Sequence, residues 1–598
     1  MQRPDRDKES SSIRTGRTEP ALPGATMPTV PTVTALQKYP ARLYEPQSPP
    51  KKRANPARRA LLQLLGLGFL LEALFLAFYP LLANITPESD AAKRALLATF
   101  PWIARLYWTT AFPELAHVLA QVPLFDAATR SGAINFLALL LGFSCVLVLA
   151  AARIGSRVVR ERLSRGYLRT LLCAIIALTL VFGLTYLFMP AVLSASHDMF
   201  LYGFYGRLVT VYHVNPYSVS AGAFPRDLMY PGASIQGSRT PGPVWIDLCI
   251  PVALLARESV ANFLFGFRIV GLLAHLINTM LIWAILAKLK PQVRISATLL
   301  YAWNPLVLLL SIFSMHLDVV LVFFILLAIL FFQRKSPILG LVLVLLSLLM
   351  NVLLLLLLPF FLRLLVKETR IMGTGRRVLW WLAAAVISSV VVVLAYAPYW
   401  QGWGIRGLLA STQQAFLQDT AINSLNAALV NLPIKLPVAL SWLIMPHHWT
   451  ILAAVTAGCL LLLGLWLADS LDFVVLFSSW ILLALLILLP TYWPWYLLLP
   501  LALALCSASR YTLLLVLLLT LGGLASYCFW LWQPVWTGQA FVTIGLPVLI
   551  WGWILFFAST WGMVHAREPE PAVTQVKRRG LSRPPFASRP SWPGRRAQ

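Results

Sequence analysis

Apolar runs of about 18 residues or more recur along most of this chain, each long enough to cross a hydrocarbon core of about 30 Å. In lipid every backbone N–H and C=O must bond inside its own segment, so such runs form helices. Composition agrees. Of 598 residues, 59% are hydrophobic and only 12% charged, with a mean hydropathy of +0.76, whereas a soluble domain carries about 25% charged residues. The expected fold is an all-α polytopic membrane protein, a bundle of about 11–14 transmembrane helices joined by extracytoplasmic loops.

Charge sets the direction of the spans. The net charge of +26 is concentrated in two tails and in short loops such as Arg153 to Arg169. By the positive-inside rule these segments are cytoplasmic. Three regions follow: a disordered basic tail (1–59), a multi-span domain (60–563) and a second disordered basic tail (564–598). The tails lack the basic-aromatic module of a nucleic-acid binder, so no nucleic-acid partner is expected. About sixty polar residues precede the first span, which is expected to act as an uncleaved anchor. Both termini are then cytoplasmic in a plasma-membrane protein. The six cysteines, Cys145, Cys173, Cys249, Cys459, Cys506 and Cys528, are scattered and show no zinc or disulfide spacing.

Spans are expected at 61–82, 134–152, 170–189, 263–287, 295–313, 319–332, 378–396, 452–468, 473–489, 496–505, 513–530 and 541–557, with an interfacial loop at 91–132. The run 244–256 is marginal and spans, re-enters or lies at the interface. The run 338–362 has basic residues at both ends, which one span cannot satisfy. A hairpin turning near Asn351 can, if protein encloses its turn. A long outer loop with amphipathic stretches lies between Pro398 and His448.

The chemistry-bearing residues crowd the outer face. The loop 190–243 emerges from the third span and begins Ser196-His197-Asp198. A carboxylate where a span meets water can take the proton of an attacking hydroxyl, being ionised at neutral pH. On a helix starting at Asp198, Tyr202 and Tyr205 share its face, whereas Arg207 joins them only if the helix ends at Gly203 or Gly206. Arg207, Arg226 and Arg239 could bind phosphate, with His316 as a switchable donor. Asp318 lies at membrane depth, where ionisable groups usually face a polar cavity. Asn304-Pro305 reads as a helix start or kink, and Trp493-Pro494-Trp495-Tyr496 as an aromatic belt or a lipid-donor contact.

Taken in order, Ser196-His197-Asp198, Tyr202 to Arg207, Asn215-Pro216-Tyr217, Gly242-Pro243-Val244-Trp245, Trp303-Asn304-Pro305-Leu306, His316-Leu317-Asp318 and Thr491 to Tyr496 with Pro500 resemble the GT-C superfamily of multi-spanning glycosyltransferases. The nearest pattern is that of polyprenol-phosphate-mannose-dependent alpha-mannosyltransferases. That family often has Tyr where Pro241 stands and Lys where Asn351 stands.

The resemblance implies transfer of mannose from a polyprenyl-phosphate donor to a glycan or glycolipid acceptor at the outer face, with inversion. It implies Asp198 as base, and His197, Tyr202, Tyr205, Arg207, Arg239, His316 and Asp318 around the donor. Asn215, Tyr217, Trp245, Trp493, Trp495 and Tyr496 would meet the acceptor or lipid. No cofactor is required beyond the lipid-phosphate sugar co-substrate. Asp198, Asp247 and Asp318 could supply oxygens to a divalent metal, but no spacing demands one. The alternative is a transporter or flippase for a lipid-linked or small polar substrate. It lacks support from an internal repeat between the halves.

Overall fold

The computed structural model describes residues 56–85, 130–158, 163–189, 198–219, 221–233, 241–416, 421–431, 437–467, 469–507, 509–532 and 538–565, with 114, 117 and 121. Both tails, and nearly all of the interfacial loop expected at 91–132, lie outside these residues. No strand occurs among them.

The elements that matter are, in order, Pro56–Leu76 (α1), Phe78–Ile85 (α2), Arg130–Val158 (α3), Arg165–Leu187 (α4), Asp198–Thr210 (α5), Pro243–Ala256 (α6) and Val260–Leu289 (α7). After these come Arg294–Ala302 (α8), Pro305–Leu308 (α9) and Asp318–Gln333 (α10). The hairpin arms are Pro337–Leu348 (α11) and Leu358–Thr369 (α12). Thr374–Tyr396 (α13) and the amphipathic Gly404–Phe416 (α14) follow, then Leu425–Val430 (α15), Pro446–Leu467 (α16) and Leu471–Leu488 (α17). Leu498–Ser507 (α18), Arg510–Trp532 (α19) and Leu546–His565 (α20) complete the bundle.

Among the described residues nine helices are long and apolar enough to cross a membrane, and a pair bent by 51° at Trp303-Asn304 makes a tenth. Of four shorter apolar helices, α10, α11 and the one ending at Ser507 bring the total towards the expected range; the fourth is α6. The bend has a local cause. Asn304 is the cap of α9, its Oδ1 accepting from the Leu306 and Val307 amides, and Pro305 occupies the first helical position.

The bundle has a basic end. Lys290 pairs with Asp472 at 3.0 Å, Lys335 with Glu368 at 2.9 Å, and Lys367 with Asp469 at 3.5 Å. The Tyr167 hydroxyl donates to the Ala57 carbonyl at the same end. The Lys335–Glu368 pair brings the two ends of the 338–362 run together, so this run is the expected hairpin. Asn351 starts its return arm, its Oδ1 accepting from the Leu353 amide. The hairpin tip reaches the opposite end of the bundle, where the Gly242 amide donates to the Met350 carbonyl at 3.0 Å. A Cβ on Gly242 would sit 1.9 Å from the Leu349 carbonyl oxygen, so only glycine allows this approach.

The marginal run at 244–256 does not cross. Tyr202 of α5 meets Trp245 of α6, with ring centroids 4.9 Å apart. Further along, Arg207 reaches the Arg257 carbonyl. The two helices therefore run side by side in the same direction, away from the basic end, and α7 carries the chain back. Arg257 makes the turn with a φ of 50°. This assigns the parity that the sequence leaves open.

Candidate active site

Asp198 opens α5, and its Oδ2 lies 2.7 Å from Nδ1 of His316. The pairing joins residues 118 apart in the chain. His316 is fully buried and Asp198 partly exposed, so the dyad presents its carboxylate edge outward from a dry wall. The imidazole lies flat on Trp495, with centroids 4.1 Å apart at 11°. Trp495 stacks on Trp493 at 4.9 Å, and Trp493 meets Trp530 of α19. With Nδ1–H donating to Asp198, Nε2 is left as a buried acceptor with no hydrogen-bond partner among the described residues.

The other half of the site rests on Tyr202. One helical turn after Asp198, its hydroxyl accepts from the Leu317 amide at 3.3 Å. It thus ties α5 to the turn that holds His316. Asp318 starts α10 next to this turn and is close enough to Asp198 for the two carboxylates to interact. Tyr205 is buried on the same side of α5. Trp245 is fully buried against Tyr202.

What aims His316 is a residue the sequence reading passed over. Arg268 lies within the apolar α7 and is fully buried. Its Nε donates to the Phe313 carbonyl at 3.0 Å. Its Nη1 donates to those of Leu187 and Met189, at 3.0 and 2.7 Å. The guanidinium also stands 4.7 Å over the Phe313 ring. One cation therefore joins the end of α4, which leads to Asp198, to the end of the π-helical turn Leu309–Phe313, which leads to His316. Gly271, one turn on, lets the Ser311 carbonyl approach; a Cβ there would lie 1.9 Å from that oxygen. Met315 then takes a φ of 40°, a conformation uncommon outside glycine, and turns the chain so that His316 points at Asp198. On the other side of α4, Thr185 is held by Glu72 through its hydroxyl and by Tyr79 through its carbonyl. A lone arginine amid the apolar residues of a span was the available signal.

The remaining expected residues divide. Arg207 is not brought to Asp198: α5 continues through Gly203 and Gly206 to Thr210, placing Arg207 about 13 Å further along the helix axis. The glycines do not end the helix because they serve as packing contacts, Gly206 against Cys249 and Ala253. Arg207 Nε is paired with Asp227 at 2.7 Å and Nη1 with Glu258 at 3.2 Å. Asn215 donates to the carbonyls of Tyr399 and Gln401, while its Oδ1 accepts from the Tyr217 amide. Tyr217 donates to the Pro241 carbonyl at 2.8 Å and stacks on Trp403. Burial, followed by nearby tyrosines and Asp247, pushes its phenol well above the usual range, so it stays a neutral donor. The Asn-Pro-Tyr segment thus clamps the outer loop onto the end of α13. Tyr399 in turn donates to Asp247 at 2.6 Å, away from the dyad. Tyr496 packs edge-on against Trp495. His197 and Arg239 lie outside the described residues, and Arg226 is exposed. No group of three or more metal-ligating side chains occurs among the described residues.

A carboxylate braced by histidine, backed by stacked indoles and set at one end of a helical membrane bundle, suits proton abstraction from a sugar hydroxyl. The sequence model of the MptA_B family, described as alpha-(1->6)-mannopyranosyltransferase, N-terminal domain, matches residues 92–367. Residues 92–367 are thus similar to that mannosyltransferase domain. The match takes in α3 to α12, and with them Asp198, Tyr202, Arg268, His316 and Asp318. The Trp493–Trp495 stack comes from the chain beyond it. No curated protein and no solved structure matches the chain. The chain is a multi-pass membrane protein, and its residues 92–367 resemble a mannosyltransferase domain.

Proposed function

We propose that the protein transfers mannose from a polyprenyl-phosphate donor to a hydroxyl of a glycan or glycolipid at the outer membrane face, with inversion and with Asp198 as general base. The observation that carries this reading is the Asp198–His316 pair at the end of the bundle opposite its basic end. Basic ends stay in the cytoplasm, so the dyad faces outward. Soluble nucleotide sugars are not supplied on that side, and a lipid-borne donor is.

In the reaction the acceptor oxygen forms a bond to the anomeric carbon as the bond from that carbon to the phosphate oxygen breaks. The electron pair leaves with the polyprenyl phosphate, and the acceptor proton goes to Asp198. His316 acts as a positioning residue, its Nδ1–H fixing the carboxylate for that transfer. Arg207 is already matched by two carboxylates, so the donor phosphate is assigned instead to Arg239 and His197. Arg239 stands two residues before Pro241, the residue clamped by Tyr217. The isoprenoid tail has an apolar groove available between α3 and α19, of about 490 Å³, lined by Ile134, Leu139, Leu524 and Phe529. The other side of α19 carries Tyr527 and Trp530 towards the indole stack. The family description gives an alpha-1→6 mannosyl linkage as the expected product.

The test is reconstitution. Proteoliposomes supplied with polyprenyl-phosphate mannose and a mannoside acceptor are expected to form a mannosylated product, whereas GDP-mannose in place of the lipid gives none. Transfer from the nucleotide sugar alone, or movement of the lipid across the bilayer without product, would reject the reading.

A further inference from the structure

We propose that the basic end carries a binding site for an anionic phospholipid, between the C-terminus of α12 and the N-terminus of α13, separate from the mannosyl-transfer site. A pocket of about 510 Å³ opens there, lined by Arg370 and Arg377 together with Trp381, Val366, Val378 and Leu382. That volume falls in the range of small-molecule sites.

The two arginines are the reason for assigning an anion. Among the described residues, the acidic side chains paired at this end are engaged elsewhere: Glu368 holds Lys335, and Asp469 holds Arg363 and Lys367. Neither Arg370 nor Arg377 has an ion-pair or side-chain hydrogen-bond partner among the described residues. Two guanidiniums on one pocket repel each other unless an anion lies between them, and guanidinium forks match phosphate oxygens.

The rest of the pocket specifies a lipid rather than a soluble phosphate. Val378 and Leu382 are 63% and 60% exposed and continue an apolar face along α13, with Leu379 and Val386, that only acyl chains or other lipid would cover. Trp381 marks the boundary between the two. Its indole N–H donates to the Thr369 hydroxyl at 3.2 Å, which fixes the ring in the pocket wall, and tryptophan favours the interface between headgroups and acyl chains. A phosphate head bound by Arg370 and Arg377, with tails along α13, satisfies every one of these surfaces.

Native mass spectrometry of the full-length protein from nanodiscs of phosphatidylcholine doped with phosphatidylglycerol tests this. The wild type is expected to retain phosphatidylglycerol over phosphatidylcholine, and the Arg370→Gln/Arg377→Gln double variant to lose that retention by about tenfold. A control, Arg153→Gln/Arg157→Gln, removes the same charge from the end of α3 and is expected to retain the lipid. Equal loss in the control would overturn the site in favour of diffuse attraction, as would unchanged retention in the double variant. Displacement of the lipid by millimolar glycerol 3-phosphate would show a soluble-anion site instead. Because the readout is bound lipid, it stands or fails independently of the transfer reaction.

Discussion

Asp198→Asn is expected to reduce mannose transfer by about 10²–10⁴-fold while the protein still folds and inserts. The amide keeps the shape of the carboxylate and can still meet His316 Nδ1, but it cannot take a proton from the acceptor. A loss confined to kcat, with near-normal binding of donor and acceptor, would mark a group that works in the transition state. The activity of His316→Gln should fall between that of Asp198→Asn and that of the wild type, because a glutamine amide can still orient the carboxylate. Should Asp198→Asn retain near-normal transfer, the base lies elsewhere, and Asp318, which interacts with Asp198 across the same turn, becomes the next group to test.

The second large effect concerns Arg268, which touches no substrate in this account. Arg268→Met removes a guanidinium bonded to three carbonyls and leaves those carbonyls buried without donors. Leaving buried polar groups unpaired costs about 1–3 kcal/mol each, and the side-chain volume is roughly kept, so a net loss of about 3 kcal/mol is expected. Thermal unfolding of the detergent-solubilised protein should register it as a clear fall in Tm. Arg268→Lys should recover only part, since one ammonium cannot serve Phe313, Leu187 and Met189 in a fork. Unchanged thermal stability in Arg268→Met would show that the end of α4 and the His316 turn are joined by packing alone.

Much of this architecture was legible because lipid leaves so few options. Spans such as α3, α4, α7 and α13 follow from apolar length. The hairpin from α11 to α12 followed from basic residues at both ends of one apolar run, and Lys335–Glu368 closes it as expected. The placement of the 314–318 turn on the same face as Asp198 also followed from charge. What sequence could not give was distance. Nothing in the order of residues says that His316 Nδ1 lies against Asp198 or that Trp495 covers the imidazole.

Arg207 illustrates the converse. Its motif position was readable, but its partners, Asp227 and Glu258, are brought in by a loop and a helix start that carry no periodic signal. The helix α6 was ambiguous for a similar reason: its residues are apolar enough for a span, and only its parallel course beside α5 shows that it does not cross. Arg268 was visible as a charge in a span, yet its role lies in the carbonyls it collects from two other segments.

Sidedness is the measurement on which the lipid-donor account rests most directly. In a cysteine-free background, Ser218→Cys lies beside the Asn215-Pro216-Tyr217 clamp and Ser156→Cys at the basic end, and both positions are exposed. A membrane-impermeant maleimide on intact cells is expected to label the first at once and the second only after permeabilisation. Labelling of Ser156→Cys alone in intact cells would turn the dyad toward the cytosol and contradict the account.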